Sequence, residues 1–214
     1  MDNSRISALI LDMGRPRLHA DDTVLDATRD LVLAGGGGAT TAALSTRSAV
    51  PVGSLYHRFG SRDALLAELW LRTVKRFQAG LFAAATAAPP GLDRAVAAAA
   101  WTVDFATDQP ADARLLLLTR REELVRDASL PATVRAALED LNEPVIRMLR
   151  QLAAEIFGHA DRGTVEVVVI AVVDLPYAHV RRHLLAGGDA GRHRPALLRV
   201  VRHTLEEARA DEVP

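Results

Sequence analysis

The sequence predicts an all-α protein of about nine helices, and three observations lead there. Nearly every segment repeats apolar residues at helical spacing. No segment has the strict alternation of a half-buried strand. The joints between segments are short runs rich in Gly, Pro, Ser and Asp, the residues that stop helices. With 214 residues, 49% hydrophobic and 25% charged, the chain can hold one small and one larger helical domain.

The elements follow in order. Residues 1–20 contain one short apolar run, Ile6 to Leu11, broken by Asp12, which lacks the length of a secretory signal core. They read as a mobile extension. A first helix over about 21–34 places Val24, Leu25, Thr28, Leu31 and Val32 on one side and stops at four glycines, 35–38. That run is a connection rather than a phosphate loop, since no strand precedes it and no Gly-Lys-Ser/Thr follows. Thr40 and Thr41 offer hydroxyl caps to a short helix through about Arg47. Ser48-Ala49-Val50-Pro51 breaks it, and Pro51 suits the first turn of another short helix ending near Phe59. Ser61 then caps a long helix with Asp63 in its first turn. After the boundary Ala88-Pro89-Pro90-Gly91, helices are expected at about 92–107, 111–125, 131–157, 164–186 and 195–210.

Composition sets bounds on function. The net charge of −1 excludes bulk polycationic binding, so any anionic partner must meet a local patch. The chain has no cysteine, which removes disulfides, thiolate nucleophiles and cysteine-zinc sites. The longest apolar stretch, from Val165, carries Glu166, Asp174 and Pro176, so the reading is a soluble cytoplasmic protein with no membrane partner. No nucleophile motif, metal set or cofactor loop is evident, and the expectation is a non-enzyme without cofactor or metal.

The segment 40–62 carries the sharpest signal. Two short helices joined by a tight turn, backed by a helix on each side, make a helix-turn-helix unit. Its second helix would lie in the major groove of DNA. Gly53 and Ser54 let the backbone approach the duplex; Ser54, Tyr56 and His57 supply hydrogen-bonding groups, and Arg58 and Arg62 supply charge. Leu55 and Phe59, four apart, would hold the helix onto its neighbours. Between Arg47 and Arg62 stand three arginines and no acid, yet over residues 1–65 seven arginines balance seven aspartates. Long-range attraction to DNA should therefore be modest.

The stretch Thr40 to Leu69 closely resembles the DNA-binding segment of TetR-family transcriptional regulators, through Gly53-Ser54-Leu55-Tyr56-His57-Arg58-Phe59 and Ser61-Arg62-Asp63-Ala64-Leu65-Leu66. The resemblance implies phosphate contacts from Thr41, Ser54, Arg58 and Arg62. It implies base or groove contacts from Ala42, Val52, Gly53 and Tyr56, with His57 beside them. It also implies a DNA-binding domain over 21–66, then a helical effector-binding and dimerisation domain over 67–214. The function implied is a ligand-responsive repressor acting as a homodimer on a palindromic operator, with an unknown small-molecule effector. Two residues depart from the pattern. Ala49 stands where the family has a glycine at positive φ, at a cost of roughly 1 kcal/mol. Ser45 stands where a small apolar residue is usual, and its hydroxyl can bond back one turn. These departures leave a second reading, a helical adaptor with weakened DNA binding.

In the larger domain the helix over 164–186 is apolar nearly all round, and with that over 195–210 it makes the expected dimer interface. Pro176 should kink it after Asp174. The candidate effector-pocket residues are Trp70, Trp101, Phe105, Arg121 and Asp174. His179 and His183, four apart, share a helix face, but two histidines without a third ligand do not make a metal site.

Overall fold

The structure, a computed structural model, describes residues 21–35, 40–119, 124 and 130–212, and all regular structure among them is helical. The expected extension 1–20, most of the glycine run and Arg121 lie outside the described residues.

Helix α1 covers 21–34 and ends where Gly35 takes a φ of +142°, a conformation open to a residue without Cβ. Helix α2 (Thr41–Ser48) begins at Thr40, whose hydroxyl accepts the Ala43 N–H at 3.2 Å. The turn that follows is closed by Ala49 at φ 55°, ψ 24°, the left-handed conformation expected there. The hydroxyls that bond back along α2 are those of Thr46 and Ser48. Pro51 stands one residue outside helix α3 (Val52–Phe59), as its N-terminal flank. Ser61 caps helix α4 (Arg62–Ala87), accepting the Ala64 N–H at 3.0 Å, so the division expected at residue 66 falls inside a continuous helix.

The rest comprises α5 (Leu92–Asp108), α6 (Pro110–Leu118), α7 (Ala132–Glu139), α8 (Glu143–Phe157), α9 (Arg162–Leu185) and α10 (Arg194–Asp211). Three of these differ from expectation. Helix α6 stops at Leu118, with Thr119 extended, although neither Gly nor Pro marks that point. The helix expected over 131–157 is split by a 3₁₀ turn, Asp140–Asn142. Pro144, in the first turn of α8, has no N–H to give and its ring would clash with the carbonyl four residues earlier. In α9 the break precedes Pro176 as a π turn over Ile170–Asp174, where the Leu175 N–H donates to the Ile170 carbonyl five residues back. The extra residue per turn removes the proline clash without ending the helix.

Packing follows from small residues where helices meet. The α5 alanines 95, 98 and 99 are fully buried against α4, α8 and α10, bringing these backbones close. Gly80, inside α4, lies under the Trp101 indole: a Cβ built there would stand 1.9 Å from the ring. The indole N–H donates to the Phe77 carbonyl at 2.8 Å. The N-terminal core joins Val24, Leu25, Leu44, Leu55, Leu65 and Leu69 with Leu115 of α6, so the two halves share an apolar core. By length and composition α9, with mean hydropathy 1.5, is apolar enough to cross a membrane; here Val168, Ala171 and Val172 are core residues.

Candidate nucleic-acid interface and apolar cavity

On α3 only Leu55 is buried, at 3% exposure, and Phe59 packs beside it on the N-terminal core. The rest of the helix is turned outward: Val52, Gly53, Ser54, Tyr56 and His57 are exposed, with Tyr56 at 49%. Ala42 on α2 is exposed beside them, while Thr41, Arg58 and Arg62 are half-buried. A phenol is a large side chain to leave half in water, and Tyr56 belongs to none of the core clusters among the described residues. The nine candidate DNA-contact residues therefore lie on α2, α3 and the start of α4, with six of them exposed: Ala42, Val52, Gly53, Ser54, Tyr56 and His57. Neither α2 nor α3 has an acid in its first turn, so their positive dipole ends are not offset by a local carboxylate.

The cations of this region are less available than the sequence implies. Arg58 is ion-paired with Asp21, at the start of α1, and its guanidinium lies 5.9 Å from the Phe59 ring centre. Arg47 pairs with Asp30 at 3.3 Å, and Arg62 reaches Asp63 at 3.4 Å. Counting residues only between Arg47 and Arg62 misses these acids because α1 brings Asp21 and Asp30 from outside that window and Asp63 lies just past its end. The equal number of arginines and aspartates over 1–65 is the signal in the sequence.

A second group of charges ties α1 to the larger half. Arg29 donates to Asp112 of α6 at 2.7 Å and also meets Asp26 and Asp30. Asp112 is 2% exposed, a buried carboxylate that Arg76 of α4 also approaches at 3.8 Å. Burial alone would lower the Arg29 guanidinium, but its bonds to Asp112 and Asp30 hold it above the usual arginine range. Arg72 of α4 donates to Asp22 and Asp26 at 2.9 and 2.7 Å. Nothing in the sequence pairs Arg29 with Asp112, 83 residues away.

In the larger half a cavity of about 230 Å³ lies between α4, α5, α6, α8 and α9. Phe77 and Leu81 form its α4 wall, Phe105 and Ala106 its α5 wall, Ala113, Leu116 and Leu117 its α6 wall. Val172, Val173, Tyr177 and Val180 close it from α9. Of the described candidate pocket residues Trp70, Trp101, Phe105 and Asp174, Phe105 alone lines it. Trp70 packs with the α7 residues Val134 and Leu138 in a separate core cluster. Trp101 sits behind the wall, 6.0 Å from the Phe105 ring. Asp174 is exposed to solvent, its side chain following the outer face of the π turn. Spacing alone could not separate these roles, because a helix face that meets a core and one that meets a void carry the same residues.

Ile170, Val173, Tyr177 and Leu185 on α9 and Val200 on α10 are exposed, from 38% for Val173 to 57% for Leu185. His179 and His183 rings lie 4.5 Å apart, with His193 6.2 Å from His183. His179 Nε2 is 2.9 Å from the Ala190 carbonyl, and the His183 imidazole is held below its usual range first by burial, then by its histidine neighbours. Among the described residues no group of three potential ligands is arranged for a metal ion.

Comparison with known proteins agrees with this arrangement. Residues 24–69 match the family of bacterial regulatory proteins, tetR family. No curated protein sequence matches the chain. Among solved structures the fold is similar to that of a proposed transcriptional regulator from Pseudomonas aeruginosa PAO1, at 21% identity and TM-score 0.66, covering 89% of this chain and 90% of that one. It is similar to a TetR-like transcriptional regulator from Rhodococcus sp. RHA1, at 15% identity and TM-score 0.65, covering 89% and 96%. It also resembles the fatty acid degradation regulator FadR from Bacillus halodurans, at 12% identity and TM-score 0.64, covering 85% and 97%.

Proposed function

We propose that this chain, a tetR-family regulator by its residues 24–69, represses transcription as a homodimer and releases DNA when a small molecule enters the α4–α9 cavity. The observation that carries the reading is the outward face of α3: Val52, Gly53, Ser54, Tyr56 and His57 are exposed and Leu55 alone is buried. A helix that buries one side chain and presents small and hydrogen-bonding groups suits insertion in a major groove. Two copies joined through α9 and α10, where five large apolar residues are exposed, would present two such helices to a palindromic site.

Release follows from what the cavity walls touch on their other sides. Helix α6 faces the cavity with Ala113 and Leu116 and faces α1 with Asp112 and Leu115. Helix α4 carries Leu65 and Leu69 in the DNA-reading half and Phe77 and Leu81 in the cavity wall. A ligand that binds more tightly with these two helices displaced shifts the pair of α3 helices away from the DNA spacing.

The test is protection of DNA upstream of the chain's own gene, measured at low salt with the intact protein and with Tyr56→Ala. The variant should bind about tenfold more weakly or worse, the scale of a single groove interaction, with unchanged thermal stability because Tyr56 is half-exposed. Equal binding by both proteins would remove Tyr56 from the interface. The ion-paired state of Arg47, Arg58 and Arg62 favours one other reading, an adaptor with weakened DNA affinity. Absence of protection at any salt concentration would select it.

A further inference from the structure

We propose that the cavity takes a small, uncharged, largely hydrocarbon molecule with one hydroxyl or carbonyl group, and that it excludes carboxylates and amines. The proposal rests on the ligand-responsive reading above and adds the chemical class of the ligand. Among the described residues no charged side chain lines the cavity. Among the described residues its only polar side chains are Thr102 on α5 and Tyr177 on α9, and neither hydroxyl is hydrogen-bonded to another described residue. An ion moved from water into such a wall loses its hydration and finds no partner, whereas a neutral hydroxyl or carbonyl needs only one bond. The two uncommitted hydroxyls supply one donor and one acceptor position for that group.

Size narrows the class further. About 230 Å³, at roughly 30 Å³ for each water-sized group, holds on the order of ten non-hydrogen atoms. The way in is marked by exposure. Val173 and Tyr177 line the cavity yet are 38% and 49% exposed, so they form its rim on the outer face of α9. Val173 of the rim lies on the π turn, where Val172 and Val173, consecutive residues, both line the cavity. In a dimer joined through α9 the same rim is covered, so the cavity fills when that face is open or in motion.

The test uses 1-octanol, octanoate and octylammonium, one chain length with three head groups, titrated calorimetrically into the full-length protein at pH 7. Octanol is expected to bind at least tenfold more tightly than either ion. Met148→Lys and, separately, Leu117→Arg place a cation in the wall, Met148 being half-buried and tolerant of a long polar replacement. Either variant should reverse the order, with octanoate binding better than octanol. Octanoate or octylammonium binding the unaltered protein as tightly as octanol would overturn the proposal, as would no binding by any of the three. Octanol binding without loss of DNA protection would leave the ligand class standing and defeat the ligand-responsive reading instead.

Discussion

At Gly80 two effects oppose each other and geometry decides between them. Helix propensity alone favours Gly80→Ala by about 1 kcal/mol in a helix interior. The added methyl would stand 1.9 Å from the Trp101 ring, which α5 and the Phe77 carbonyl hold in place. Overpacking should dominate, with a net loss of about 2–3 kcal/mol of stability, read from urea unfolding, and a changed tryptophan fluorescence. A second residue, Asp21, occupies Arg58. Asp21→Asn should free that guanidinium for a phosphate and strengthen DNA binding about tenfold per dimer at low salt, from about 0.7 kcal/mol for each partly exposed pair. The slope of affinity against salt should steepen by about 0.9 for each additional phosphate that the protein neutralises. An unchanged slope would mean that Arg58 does not reach the duplex.

At the scale of elements, α8 is fastened to the start of α5 by one carboxylate. Glu155 accepts the Gly91 N–H at 2.9 Å and a Gln151 amide N–H at 2.8 Å, and it is ion-paired with Arg94. Burial would raise this carboxyl, but the Gly91 and Gln151 bonds and the Arg94 charge outweigh it and hold it below the usual range. A folded-state value below the unfolded one stabilises the protein above the ordinary carboxylate range. That contribution is lost as pH falls through the folded value. Glu155→Gln should therefore lower the urea midpoint at pH 7, and the two proteins should converge as the pH is taken well below about 4. A gap that persists in acid would assign the loss to geometry instead of charge. The π turn of α9 belongs to this scale too. Pro176 signals an interruption in the sequence, but the width of the turn and the side it opens toward depend on what α9 packs against.

For the whole molecule the quantity on which the proposed repressor turns is how tightly two copies would hold each other. Val200 is 51% exposed on α10 and belongs to none of the core clusters of the single chain. Val200→Asp should leave the thermal stability of the isolated chain nearly unchanged while giving a monomer on sedimentation, because a carboxylate buried in an apolar interface has no partner. DNA affinity should fall by about 10²–10⁴, the advantage that two linked binding units have over one. A dimer that survives this change would place the interface elsewhere. The same scale holds a connection between the cavity wall and α2, since Asp112 joins α6 to Arg29 and Arg29 joins Asp30, which meets Arg47 on α2.

The sequence by itself determined the all-helical class, the bounds of α1 to α3 closely, and the start of α4. These rest on signals within a few residues of one another: a Thr or Ser cap, a glycine stop, Leu55 and Phe59 four apart. Ala49 at positive φ was legible through the family resemblance, whose pattern has glycine at that turn. Tertiary structure alone decided where α6 ends, that Asp21 and Asp30 occupy Arg58 and Arg47, and that Phe105 faces a void while Trp70 and Trp101 face core. Each of those depends on which helices meet, across 17 and 37 residues of chain for the two ion pairs, and the spacing of apolar residues records only that a face is covered, never by what.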